Sequence, residues 1–152
     1  LKVLGIRNSV KQFRYAVLCW DGENTLLLNA DTENLIKMPA NIKETTQQLY
    51  WLYQEIDRII RQNSGISCIA LKPNEYGRGE TSSSRLAAYF DGIVYLVAGQ
   101  HNLPVTSKLY RQIGTKRDDV LKFSEDNIRK TQSNWNQQMA DAVAVAWSSI
   151  EK

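Results

Sequence analysis

The sequence is poor in metal-binding nitrogen and sulfur. His101 is the only histidine, and Cys19 and Cys68 are the only cysteines, lying far apart in strand-like apolar stretches. These three side chains cannot build a zinc site, and two distant thiols make no disulfide framework. They read as buried free cysteines of a reducing compartment, so the expected location is cytoplasmic. No uninterrupted apolar run approaches the ~18 residues of a membrane span, so no membrane partner is expected. The first residues read as a strand rather than the basic-then-apolar pattern of a signal peptide. No Gly-Lys-Ser/Thr follows a glycine loop at the spacing of a Walker A motif. One-sided charge is also missing: 19 basic against 16 acidic residues leave a net charge of +3. That excess permits contact with a polyanion without requiring it.

What is present is ordinary for a globular chain, with 43% hydrophobic and 23% charged residues. A length of 152 residues suits one domain, spanning 1–152, with a substantial core. Residues 2–7 and 14–20 read as strands, with Phe13, Tyr15, Val17 and Cys19 alternating onto one face. Asp21-Gly22-Glu23-Asn24 supplies a turn, and residues 25–29 return as a third strand, followed by a loop over 31–40. Asn41 and Glu44 have the spacing of a capping box. The helix it would start carries Leu49, Leu52, Ile56, Ile59 and Ile60 on one stripe. Ser64-Gly65 ends that helix, and 66–71 is an apolar strand before Pro73. This strand-helix-strand passage implies a parallel crossover. A second helix is expected from about Ser82, a fifth strand over 103–106, a short helix over 118–123 and a closing helix carrying Trp135, Met139, Ala142, Val143, Ala146 and Ile150. His101 then stands at the second helix's C-terminus, where capping explains it better than catalysis.

Two segments carry most of the meaning. Val3-Leu4-Gly5-Ile6 is a buried strand whose exit residue is Arg7. The run from Met139 to Trp147 is a helix rich in alanine, able to lie close to a sheet, and it carries one acid, Asp141. Together with the order β-β-β-α-β-α-β-α, these segments resemble the RuvC-like branch of the RNase H-like superfamily. The resemblance covers nearly the whole chain and implies an α/β fold, with a mixed central sheet flanked by helices. In that family an Asp ends the first strand, a Glu ends the fourth, and acids on the last helix complete a magnesium site. The resemblance implies that the matching positions here are Arg7, Lys72, Gln138 and Asp141, so only Asp141 keeps its carboxylate.

Two-metal phosphodiester hydrolysis needs carboxylates that clamp two ions ~3.5–4 Å apart, and one carboxylate cannot do that. A cation at a ligand position adds repulsion of roughly 6–7 kcal/mol at ~5 Å and an effective dielectric of ~20. The expectation is therefore a relative that is not an enzyme, with no metal and no cofactor.

For Arg7 and Lys72 two readings stand side by side. Either they bind a phosphate where metals would have bridged to one, or Asp141 pairs with one of them and neutralises an old cavity. Glu75 and Glu80, in a glycine-containing loop, are the candidates for a displaced second acid that would rescue a one-metal site. The same loop, Gly77-Arg78-Gly79-Glu80-Thr81-Ser82-Ser83-Ser84-Arg85, combines glycines, hydroxyls and two arginines at a helix start. It reads either as an anion cradle using Arg78 and Arg85 or as a loop with a Ser or Thr helix cap. Lys108, Arg111, Lys116, Arg117 and Lys122 cluster beyond it, interrupted by Asp118 and Asp119, with Tyr110 and Phe123 as stacking surfaces for bases. Mixed signs also fit a plain solvated surface. Tyr50, Trp51 and Tyr53 lie on the first long helix beside its core stripe, and those the core does not need would form an aromatic patch of the type found at dimer interfaces.

The leading function is a non-catalytic, pseudo-nuclease domain that binds DNA or RNA. The alternatives are a protein-interaction domain, as a homodimer or within a larger complex, and a residual metal nuclease.

Overall fold

The structure is a computed structural model that describes residues 1–75 and 79–150. Its strands are β1 (Lys2–Ser9), β2 (Gln12–Trp20), β3 (Thr25–Leu27), β4 (Leu35–Lys37), β5 (Ile66–Leu71) and β6 (Val105–Ser107). Its helices are α1 (Thr45–Gln62), α2 (Ser82–Gln100), α3 (Tyr110–Ile113), α4 (Val120–Asn127) and α5 (Gln137–Ser148). They build one mixed sheet in the order β3-β2-β1-β5-β6, with β4 pairing the other end of β2. β2 runs antiparallel to β1, whereas β5 lies parallel to β1 and β6 parallel to β5.

Alternation along the strands divides the core in two. Leu4 and Ile6 of β1 join Leu52, Ile56 and Ile59 of α1 and Phe90 and Val94 of α2. Val3 faces the other way, with Ala16 and Leu18 of β2, Ala70 of β5 and the alanine-rich α5. Gly5 is what lets α5 come so close. A Cβ there would stand 2.2 Å from the Ala142 carbonyl oxygen and 2.8 Å from the Ala146 Cβ. Gly5→Ala should therefore push helix and strand apart and cost about 1–3 kcal/mol, the range for an overpacked core. Thermal melting reads the effect, and an unchanged Tm would contradict this packing.

The expected elements occur in the expected order, though β3 ends at Leu27 rather than 29 and α5 spans Gln137–Ser148, leaving Trp135 and Ile150 outside it. Four further differences have physical causes. The Asn41–Glu44 capping box does not form. The Pro39 carbonyl takes the Ile42 N–H at 3.1 Å, so Asn41 lies inside a turn, and α1 begins at Thr45 with Glu44 as an N-cap that makes no side-chain hydrogen bond. Within the expected 31–40 loop, Leu35–Lys37 forms β4, because Ile36 finds the α1 side of the core and pairs with Phe13. The polar stretch after β6 holds two short helices, α3 and α4, rather than one. Finally β6 starts only at Val105, since Pro104 has no N–H for the ladder and instead accepts from Ile69 N at 3.0 Å.

At the head of α2, Thr81 and Ser84 form a reciprocal capping box. His101 is the C-cap of that helix, and its Nε2 lies 2.6 Å from Asp57 Oδ1. Cys19 and Cys68 are half-buried on β2 and β5 and form no disulfide. Among the described residues no helix is long and apolar enough to cross a membrane.

Candidate nucleic-acid interface

Strand register assembles the candidate site. Ser9 pairs with Gln12, so the hairpin turn sets Arg7 opposite Arg14. In the parallel pair, the Lys72 N–H donates to the Ile6 carbonyl at 3.0 Å, one step beyond the Ile6–Leu71 match. Arg7, Arg14 and Lys72 thus share the parity of Val3, Ala16 and Ala70, and all three emerge on the α5 side of the sheet. From α5, Gln138 and Asp141 face them, one turn apart.

Asp141 is fully buried and both of its oxygens are taken. Arg7 Nε donates to Oδ2 at 2.8 Å, and the Tyr110 hydroxyl donates to Oδ1 at 2.7 Å. Arg7 Nη1 donates in addition to the Asn8 carbonyl at 2.7 Å and to Asn74 Oδ1. The Lys72 side chain is 1% exposed. Its ammonium donates to the Pro73 carbonyl at 2.7 Å, lies 3.2 Å from Glu75 Oε2 and sits 4.0 Å above the centre of the Tyr110 ring. Arg14 is buried too and donates through Nη1 to Gln138 Oε1, while its Nε has no hydrogen-bond partner.

Burial dominates the titration of this cluster. It pushes the Asp141 carboxyl above the usual carboxylate range, against the pull of Tyr110, Arg7 and Lys72. Burial likewise pulls Lys72 below the usual lysine range, opposed by Glu75 and Asp141. Arg14 is lowered by burial first and by the neighbouring Arg7 second. Three buried or nearly buried cations meet the buried Asp141, the half-exposed Glu75 and, reached from Arg7 through Asn74, Asp91.

Arg7, Lys72, Glu75, Tyr110 and Gln138 line a cleft of about 410 Å³, with Asn74 beside Arg7 and Arg117 at the rim, while Asp141 and Arg14 lie behind it. Of the residues singled out in the sequence, Arg7, Lys72, Glu75, Arg117, Gln138 and Asp141 come together. Lys116 lines the adjoining, larger cleft. Arg85 and Glu80 pair with each other at 2.9 Å and belong to a separate cleft with Tyr89. Arg78 lies outside the described residues. Arg7 and Lys72 are thus already partnered, as the neutralising alternative expects, and a phosphate reaches Lys72 only by displacing Glu75.

Three parts of the cluster are absent from the sequence reading. Arg14 was legible in the two-residue turn, which fixes its register against Arg7. The Tyr110 hydroxyl on Asp141 and the Asn74 amide on Arg7 depend on loop paths that no periodicity encodes. On the opposite sheet face, Asn8 Nδ2 donates to Asp91 Oδ1 at 2.9 Å, and burial raises the Asp91 carboxyl.

A magnesium ion does not fit the donors present. Asp141 has no oxygen to spare, Glu75 sits on an ammonium, and Arg7, Arg14 and Lys72 would repel the ion. Among the described residues no group of three or more His, Cys, Asp or Glu could hold a metal ion.

No protein-family model and no curated protein matches the sequence. Solved structures do match in three dimensions. Thermus thermophilus RuvC superposes with a TM-score of 0.77 at 13% identity, over 97% of this chain and 92% of that one. The fold is that of RuvC. T. thermophilus RuvC in complex with a Holliday junction substrate gives a TM-score of 0.78 at 14% identity, over 97% and 92% of the two chains. The yeast mitochondrial Holliday junction resolvase follows at 0.62 and 15% identity, covering 96% of this chain and 76% of that one. The RuvC-like sheet and its last helix thus frame a pocket of cations.

Proposed function

We propose that this chain binds nucleic acid through its basic pocket and does not cut it. The observation that carries this reading is the gathering of Arg7, Arg14 and Lys72 at one end of the sheet, with Arg7 paired to Asp141, Lys72 to the part-exposed Glu75, and Arg14 bonded to the neutral Gln138. A phosphate oxyanion at the cleft mouth would meet Arg117 as its first contact, with Arg7 and Lys72 behind. Branched DNA is the substrate class to try first, because a RuvC of the same fold is seen on a Holliday junction.

Glu75 then acts as an internal stand-in for the phosphate. A labelled four-way junction titrated at low salt with chelator tests both statements. Wild type should bind, and Glu75→Gln should bind up to about fivefold more tightly, the equivalent of the ~1 kcal/mol of a part-exposed ion pair. Absence of binding in both proteins would refute the proposal.

A second reading rests on a different surface. Tyr50 and Tyr53 stack at 6.4 Å and, with Tyr95 and Leu96, line an apolar cleft of about 680 Å³ between α1 and α2. Trp51, which the sequence grouped with them, is instead buried edge-on against Phe13. A second copy of the chain is the occupant this surface suits as a homodimer. Dimer formation without any nucleic-acid binding would favour it over the first reading.

A further inference from the structure

We propose that the larger cleft beside the basic pocket, about 810 Å³ in volume, holds one unstacked nucleobase. This site deepens the nucleic-acid reading and rests on it. Tyr110 and Glu75 line both clefts, so a strand whose phosphate lies against Arg117 has an adjoining recess for the neighbouring base. The volume falls in the ~300–1,000 Å³ range of small-molecule sites.

The lining has the three features that a nucleotide needs. Phe123 is a fixed flat surface: its ring is half-buried and held edge-on against Trp147 at 5.5 Å and 86°. Arg111 and Lys116 line the cleft with positive charge for the flanking phosphates, beside Lys122, whose ammonium is paired with Asp126 at 2.7 Å. Asp119 adds an acceptor facing the cleft, suited to the amino or imino hydrogens of a base. Gly114 ends α3 at φ 97°, and nothing lies within 4 Å of where its Cβ would be. A phosphate alone would have no use for the aromatic surface, and a base within a duplex stack cannot enter the recess. The ligand is therefore an unpaired or flipped nucleotide, which is least costly to present where pairing is already broken.

The test uses the full chain and a duplex carrying one bulged nucleotide, either 2-aminopurine or an abasic residue, at low salt with chelator. The intact base should bind about tenfold more tightly than the abasic site, within the range for one stacked base, and its emission should change on binding. Phe123→Leu, which keeps an apolar contact to Trp147 but loses the flat face, should abolish that preference and leave the salt dependence intact. Free nucleoside monophosphate competing as well as the bulged strand would identify a mononucleotide site and overturn the strand-bound one. Salt-dependent binding with equal affinity for base and abasic site would overturn the base site alone. No binding to either duplex would overturn it together with the nucleic-acid reading.

Discussion

Arg7→Met should lower the stability of the fold by about 3–5 kcal/mol near neutral pH, the cost of leaving one member of a buried ion pair behind. The Arg7 side chain is 12% exposed and that of Asp141 1%, so water entering from the cleft replaces the lost guanidinium only in part. The pH dependence separates this cause from simple loss of packing. Burial already lifts the Asp141 carboxyl above its unfolded value of about 3.9, and removing Arg7 lifts it further. Between the two values the folded state holds the extra proton, so stability falls as pH rises through that window. The deficit of Arg7→Met should therefore be small in acid and grow only once the pH passes the raised titration of Asp141 in the wild-type fold. A deficit independent of pH would show that Asp141 does not depend on Arg7. Asp141→Asn combined with Arg7→Met should recover part of the loss, because neither partner is then a buried unpaired charge.

The second large effect is expected in binding. Lys116 and Arg117 are exposed at the rims of the two adjoining clefts. If each neutralises one phosphate, Lys116→Glu with Arg117→Glu should cost on the order of 50-fold in affinity near 0.1 M salt and flatten the log–log slope by about 1.8. The loss should be the same for every sequence, since phosphate contacts carry no base information. Titration of two unrelated sequences over a salt series measures this. Melting should barely change, because neither side chain supports the core. A loss confined to one sequence, or none, would place the phosphate path elsewhere.

Much of this fold was legible because its elements have strong periods. The α1 stripe, the apolar β5 run before Pro73 and the alanines of α5 all obey the spacing that burial demands. The Arg7–Asp141 pairing was also within reach, since a strand exit and a close-packed helix can only meet at one end of the sheet. What escaped depends on tertiary context. β4 is three residues long and stable only because Ile36 finds the core, a signal too short to read. Asn41 and Glu44 satisfied a local rule that the Pro39 turn overrides. The hydrogen bond of Tyr110 to Asp141 joins residues 31 apart across the two short helices α3 and α4, whose placement no pattern specifies. For Lys72 the sequence left open a charge facing a phosphate or a pair with Asp141; in the fold the Tyr110 ring, the Pro73 carbonyl and Glu75 enclose its ammonium.

The central claim is that a pocket built in a RuvC-like fold now holds cations that bind nucleic acid without hydrolysing it. One four-way junction, labelled on every strand and incubated with the protein first in chelator and then in excess magnesium, tests binding and cleavage in the same sample. Binding in chelator that weakens with salt at about −0.9 in log–log slope per phosphate contact, with every strand intact after magnesium is added, is the expected result. Strand cleavage that requires magnesium and disappears in Asp141→Ala or Glu75→Ala would contradict it.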